Sequence, residues 1–112
     1  MAAISQYEWH ARWVHADAPG GLEEQVTVAK RVFEGCRALH QQILDEPAMT
    51  EEVKERGFVF DVFDNPTSAK LELIELNDSG ARTGCGSCLF HWIRDARLLY
   101  GMQEDVEIRV AI

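Results

Sequence analysis

The sequence lacks long hydrophobic runs and is poor in cysteine, proline and positive charge. Its 112 residues include three cysteines, three prolines and 11 Lys or Arg, against 19 Asp or Glu. The longest apolar runs, such as Phe58 to Phe60, fall far short of the roughly 20 residues that a membrane-spanning helix requires. Residues 1–7 carry neither the basic region nor the apolar core of a secretion signal, so we expect a cytoplasmic protein.

What is present is the composition of an ordinary globular protein. Hydrophobic residues make up 46% of the chain and charged residues 27%, which is too apolar for a disordered segment. A chain of this length typically builds one hydrophobic core, so we expect residues 1–112 to form a single domain.

The formal net charge of −8 is concentrated in the middle of the chain. Between residues 45 and 78 there are ten acidic residues and only three basic ones. A negative potential repels phosphate groups, so we expect no direct binding of nucleic acid and no membrane partner. The ten acids are Asp45, Glu46, Glu51, Glu52, Glu55, Asp61, Asp64, Glu72, Glu75 and Asp78.

Periodicity in the first half predicts a strand, a long helix and a short helix. Residues 6–16 alternate between aromatic or apolar and polar side chains, the period of a half-buried strand. A helical period begins at Leu22, and Thr50 and Gly57 predict the N-cap and the end of a short acidic helix. The apolar stripe of the long helix consists of Leu22, Val26, Ala29, Phe33, Cys36, His40 and Ile43.

The second half predicts a hairpin, a helix and a last strand. Residues 58–64 and 69–77 flank the turn Asn65-Pro66-Thr67-Ser68, and the second strand is either apolar on both sides or bulged near Leu73. A helix is expected from Ser87 to Gly101, and residues 106–112 alternate as a final strand.

The order strand, helix, strand, strand, helix, strand favours an α+β ferredoxin-like sandwich. In this fold, a four-stranded antiparallel sheet carries both helices on one face. The other face would be open and would suit a partner or a second copy of the chain. Its candidate residues are Glu8, His10, Arg12, Val59, Asp61, Phe63, Lys70, Glu72, Glu107 and Arg109.

The most specific motif is Cys85-Gly86-Ser87-Cys88 at the predicted start of a helix. A helix N-terminus lowers a thiol pKa, so Cys85 and Cys88 are candidates for a redox or metal site. The chain lacks the strand order of thioredoxins, and a zinc site would have to recruit Cys36, His40 or His91. The glycines also fit a tight turn with a helix cap, which is the commoner use of such a sequence.

Catalytic chemistry has little support in the sequence. His10, Arg12 and Trp13 are candidates for a pocket beside the sheet, but no spacing suggests a catalytic triad or a carboxylate pair. We therefore expect no cofactor and lean against an enzyme.

Three functional hypotheses follow. The first is an inhibitor, immunity protein or adaptor that docks a basic protein through its acidic segment or its open sheet, because a concentrated negative charge speeds association with a cationic surface. The second is a ferredoxin-like homodimeric enzyme or ligand-binding protein, and the third is a thiol or metal switch at Cys85 and Cys88. The first hypothesis predicts contacts from Asp45, Glu46, Glu51, Glu52, Glu55, Asp61 and Asp64.

Overall fold

A computed structural model describes residues 1–7, 10–78 and 88–111. The elements in chain order are β1 (Ala3–Ser5), α1 (Gly21–Leu44), α2 (Glu51–Arg56), β2 (Phe58–Asn65), β3 (Lys70–Asp78), α3 (Ala96–Leu99) and β4 (Glu107–Arg109). The strands form two separate pairs: β1 lies parallel to β4, and β2 lies antiparallel to β3.

The predicted ferredoxin-like sandwich is therefore wrong. Two small sheets of two strands replace the four-stranded antiparallel sheet, and one of them is parallel. The predicted first strand fails because the backbone turns instead of extending: the amide of Ala16 bonds to the carbonyl of Trp13, and that of Ala18 bonds to His15. Hydrogen bonds between residues three apart close turns, so residues 10–16 do not form the predicted strand.

The second predicted helix is much shorter than expected, since the described part of it is helical only over Ala96–Leu99. The side chain of His91 accepts hydrogen bonds from the backbone amides of Ile93 and Arg94, both at 3.2 Å. The side chain of Asp95 accepts one from the backbone amide of His91 at 2.8 Å. Side chains that bond nearby amides compete with helix hydrogen bonds. Residues 79–87, which include the predicted helix start, lie outside the described part of the chain.

Two compact units share helix α1. One consists of Met1–Arg31 with Gly86–Ile112, and the other of Val32–Cys85. No helix in the described residues is long and apolar enough to cross a membrane.

In the Val32–Cys85 unit, the second half of α1 packs on the β2–β3 hairpin. Cys36 and Ile43 are buried, and the ring of His40 contacts those of Phe58 and Phe60 at centroid distances of 5.5 and 6.0 Å. These helix residues belong to the predicted stripe. Its first two members, Leu22 and Val26, are exposed, so the stripe prediction holds only for the later turns.

The predicted hairpin is confirmed, and of the two alternatives for its second strand, the bulge is the one present. Residues pair in register from Phe58 opposite Asp78 to Asn65 opposite Lys70, except for one shift between Asp61 and Val62 that leaves Ile74 as the extra residue. This bulge returns Leu71, Leu73 and Leu76 to one side of the hairpin. The predicted cap of α2 is confirmed as well: the amide of Val53 donates to Thr50 Oγ1 at 3.3 Å, and Gly57 closes the helix at φ 82°.

The other unit is held together around β1 and β4. The side chain of Gln6 donates to the carbonyl of Ala11 at 2.7 Å and accepts the amide of Ala111 at 3.0 Å. Arg109 lies 4.2 Å above the ring of Phe90, which is buried, and forms a two-point ion pair with Asp95 at 3.0 Å for each bond. A planar guanidinium matched to a carboxylate and an aromatic face fixes the orientation of its neighbours.

Candidate functional site

One side of the β2–β3 hairpin gathers acidic side chains around an exposed aromatic ring. Successive residues of a strand point to opposite sides, so the register assigns every second residue of β2 and its partner in β3 to the same side. We call this side the acidic face. Its members are Val59, Asp61, Phe63, Asn65, Lys70, Glu72, Glu75 and Asn77.

Two carboxyl groups of this face lie directly opposite one another. Asp61 pairs with Glu75 across the strands, and their side chains share a hydrogen bond. Partial burial, this hydrogen bond and the charge of Glu75 all raise the pKa of Asp61 above its ordinary value. Two carboxylates at this position repel each other, so the free protein carries an unfavourable contact here.

Next to this pair lies Phe63, whose cross-strand neighbour is Glu72. The ring is 48% exposed, so it presents an apolar surface beside these carboxyl groups. Asn65 donates to Glu72 at 3.3 Å and Asn77 donates to Glu75 at 3.4 Å, so amide groups hold both glutamates. The acidic face therefore offers an apolar centre with carboxylates around it.

The opposite side of the hairpin faces helix α1. It contributes Phe58 and Phe60 to the contact with His40, and it carries Asp64 near Cys36. Burial and, to a smaller extent, the charge of Asp64 raise the pKa of the Cys36 thiol to about 11. A thiol with this pKa stays protonated at neutral pH and is a poor nucleophile and a poor metal ligand.

The seven acids predicted to bind a partner lie in four places. Asp61 is on the acidic face, whereas the partly buried Asp64 is on the helix side of the hairpin. Asp45 and Glu46 follow the end of α1. The remaining three, Glu51, Glu52 and Glu55, lie on α2.

The charges on α2 are partly compensated within the helix. Glu51 pairs with Lys54 at 3.3 Å, and Glu52 pairs with Arg56 at 3.6 Å. Each of these ion pairs reduces the net negative charge that the helix presents. In the pair of Asp61 and Glu75 on the acidic face, by contrast, both members are acidic, so neither compensates the charge of the other. The acidic face is thus the stronger candidate for cation recognition.

Glu72 belongs to the predicted open sheet face, whereas Glu75 is absent from the predicted contact residues, and the bulge explains why. Pairing the strands without interruption from the turn would place Ile74 opposite Asp61. The extra residue at Ile74 moves Glu75 into that position. Apolar residues on both sides of the second strand were the signal from which the bulge, and with it the position of Glu75, could have been predicted.

The pocket candidates are not on a strand. His10 is exposed in a turn, and Arg12 forms an ion pair with Asp17. The amide of Trp13 donates to the carbonyl of Ala111 at 2.7 Å, and its ring meets the edge of His15 at 5.1 Å. These contacts give Arg12 and Trp13 structural partners both within their own turn-rich segment and, through Ala111, in the last residues of the chain.

Of the C-x-x-C motif, Cys85 lies outside the described residues. Cys88 is half-buried and has a left-handed backbone at φ 54°. Within 1–7, 10–78 and 88–111, no three His, Cys, Asp or Glu side chains are grouped closely enough to hold a metal ion.

Comparison with protein-family models, with curated proteins and with solved structures finds no match. The chemistry of the acidic face is therefore the main guide to function. An exposed aromatic ring beside three carboxylates suits recognition of a cationic surface.

Proposed function

We propose that the chain is a small protein-binding module that docks a partner with a basic surface through the acidic face of its hairpin. The observation that carries the proposal is the cross-strand pairing of Asp61 with Glu75 beside the exposed ring of Phe63. Like charges directly opposite one another destabilise a hairpin, and a Lys or Arg from a partner would turn this repulsion into attraction.

The apolar centre supports the same function. Interfaces commonly combine a central aromatic side chain with a polar rim, and the aromatic residue contributes most of the affinity. Phe63 is the aromatic side chain of this face, and Glu72 and Glu75 lie beside it on the neighbouring strand. The carboxylates would steer a cationic partner, and the ring would hold it once bound.

Two triple variants with the same change of charge test the proposal. In the face variant, Asp61→Asn, Glu72→Gln and Glu75→Gln remove three charges from the acidic face. In the control variant, Glu34→Gln, Glu104→Gln and Asp105→Asn remove three exposed charges elsewhere. Both variants and the wild-type chain are immobilised and exposed to a lysate of the source cells at low salt.

We expect the wild type and the control to capture the same basic protein, and the face variant to lose it. The association rate of that protein should fall steeply as salt rises, because long-range attraction between charges is screened. Phe63→Ala should weaken binding mainly through faster dissociation. Equal capture by all three chains, or an association rate that does not respond to salt, would contradict the proposal.

A further inference from the structure

The carboxyl pair of the acidic face can form its hydrogen bond only when it holds a proton. Asp61 and Glu75 lie opposite one another in the hairpin, and their side chains are hydrogen-bonded. An ionised carboxylate has acceptor oxygens and no donor, so two carboxylates cannot bond to each other. One proton on the pair supplies the donor and removes the repulsion between the two charges.

The surroundings of the pair indicate which member holds this proton. Nδ2 of Asn77 donates to Oε1 of Glu75 at 3.4 Å, and a hydrogen bond to the charged form of a carboxyl group favours its ionisation. Asp61 is half-buried whereas Glu75 is exposed, and burial disfavours the charged form. Asp61 is therefore the protonated member, in agreement with its raised pKa.

Other charged groups near the pair are placed by the hairpin. On the acidic face, Glu72 is the diagonal neighbour of the aspartate on β3, and Lys70 lies at the turn end of the same strand. Helix α1 packs on the other side of the hairpin, where its titratable residues Cys36 and His40 lie. The charge that raises the pKa of the aspartate is that of Glu75.

The ion pair of Asp95 shows what a cationic partner does to an aspartate of this chain. The guanidinium of Arg109 binds Asp95 at two points and holds its pKa below the ordinary value of 3.8. Asp61, which lies beside another carboxyl group, has a pKa above the same value. A guanidinium or ammonium group placed on Asp61 would reverse the direction of its shift, and the pair would lose its proton.

We infer that the pair of Asp61 and Glu75 holds one proton in acid solution and releases it to the solvent when a cationic side chain of the partner binds, so that acidification weakens recognition. The inference rests on the proposed function and adds its regulation by pH. Linkage is reciprocal: a cation that displaces one proton binds more tightly as pH rises, by up to about tenfold per pH unit.

The first experiment follows the side-chain carboxyl carbons of the free, full-length chain by NMR between about pH 3 and 8. Asp61 and Glu75 should titrate as a coupled pair, each carbon responding to the titration of its neighbour as well as to its own. In Glu75→Gln, Asp61 should titrate in a single step at lower pH, because its like-charged neighbour is gone. Glu72→Gln is the matched control and should leave the coupled titration in place.

The second experiment titrates the full chain with a short oligoarginine peptide with blocked ends, whose side chains stay charged at every pH used. Calorimetry at constant ionic strength, in two buffers of different ionisation enthalpy, gives the number of protons released per bound peptide. The wild type is compared with Asp61→Asn and Glu72→Gln, which each remove one charge from the acidic face.

We expect the wild type to release protons on binding at about pH 5 and fewer at about pH 7. Its Kd should fall at least about threefold between these two values. Both variants should bind more weakly than the wild type at pH 7, since both lose a charge. Only Asp61→Asn should also lose the proton release and most of the pH dependence of Kd.

Four results would overturn the inference. Independent titration of Asp61 and Glu75 at ordinary pKa values would show that they share no proton. Equal proton release by the wild type and Asp61→Asn would assign the proton to other carboxyl groups. Binding without proton release would show that the peptide meets a pair already ionised, while the proposed function would stand. Failure of the peptide to bind would also exclude this coupling; capture of a basic protein from the lysate would still test the proposed function separately.

Discussion

Gly35 and Leu71 touch where helix α1 packs on the hairpin: a Cβ atom on Gly35 would lie 3.1 Å from Cγ of Leu71 and 3.3 Å from its Cβ. It would also overlap Cδ1 of the same side chain. Both distances are shorter than ordinary contacts between carbon atoms, so glycine allows the helix and the strand to approach this closely.

Gly35→Ala should destabilise the protein by about 1 kcal/mol. Alanine gains up to about 1 kcal/mol of helix propensity over glycine, but crowding of a packed contact typically costs about 1–3 kcal/mol. Urea unfolding of the wild type and the variant measures the difference. In a Leu71→Ala background, the same substitution should be neutral or stabilising, and stabilisation in the wild-type background would contradict the close contact.

Acidification should weaken the Val32–Cys85 unit through His40. Burial against Phe58 and Phe60 lowers the pKa of His40 below its ordinary value of 6.5. Below about pH 6.5 the unfolded chain takes up a proton that the folded chain does not, so the free energy of unfolding falls as pH decreases towards the native pKa. Well above pH 6.5, where the unfolded chain no longer binds this proton, His40 contributes no pH dependence.

Urea unfolding at a series of pH values between about 5 and 7 tests this expectation. His40→Gln should flatten the profile in this range, whereas His10→Gln, which changes an exposed imidazole, should retain it. If the His40→Gln profile keeps the full slope, another group is responsible for it.

The carboxyl pair of the acidic face should change stability with pH in the opposite direction to His40. The pKa of Asp61 is raised, so the folded chain takes up a proton before the unfolded chain does, and the free energy of unfolding increases as pH falls through the native pKa. Asp61→Asn should stabilise the hairpin at neutral pH by about 0.2–1 kcal/mol, the range for cross-strand pairs.

Thermal unfolding of Asp61→Asn and Glu72→Gln at pH 7 distinguishes the repulsion between Asp61 and Glu75 from the effect of the chain's net negative charge. Glu72 lies opposite Phe63 and not opposite another acid, so its substitution should leave the melting temperature nearly unchanged. Equal stabilisation by both variants would attribute the effect to net charge alone.

The ion pair between Asp95 and Arg109 should make the stability of the unit formed by Met1–Arg31 and Gly86–Ile112 sensitive to acid. Hydrogen bonds from Arg109 and from the amide of His91 hold the pKa of Asp95 below its ordinary value of 3.8. The stabilisation is therefore present above about pH 4 and is lost as pH falls through the native pKa. Asp95→Asn should be less stable at pH 7 and should lose less stability between pH 4 and 2 than the wild type.

The matched control for this ion pair is Asp105→Asn, which changes an exposed aspartate of the same unit. It should keep the acid dependence of the wild type. An Asp95→Asn profile parallel to that of the wild type would show that the ion pair with Arg109 does not stabilise the folded state.

The elements that the sequence predicts correctly are those defined by neighbouring residues. Thr50 and Gly57 mark the ends of α2 through contacts three or four residues away, and the turn at Asn65 joins two adjacent strands. By contrast, Ala3 pairs with Glu107, and a local sequence pattern does not predict a partner so distant in the chain. The fold prediction failed because it placed all the strands in one sheet.

The candidate site was predictable in part for the same reason. Alternation along β2 correctly assigned Val59, Asp61 and Phe63 to one side. The position of Glu75 depends on the bulge at Ile74, and the sequence left open whether a bulge was present. The acidic face therefore became recognisable as a paired arrangement only once the register was known.

The parallel pairing of β1 with β4 has a consequence for the order in which the chain can fold during synthesis. β1 has no strand partner in the described chain until Glu107–Arg109 has been made, and closing so long a loop is slow. The Val32–Cys85 unit is continuous in sequence, and its hairpin needs only a short turn to form. The acidic face can thus form before β4, the partner strand of β1, has been synthesised.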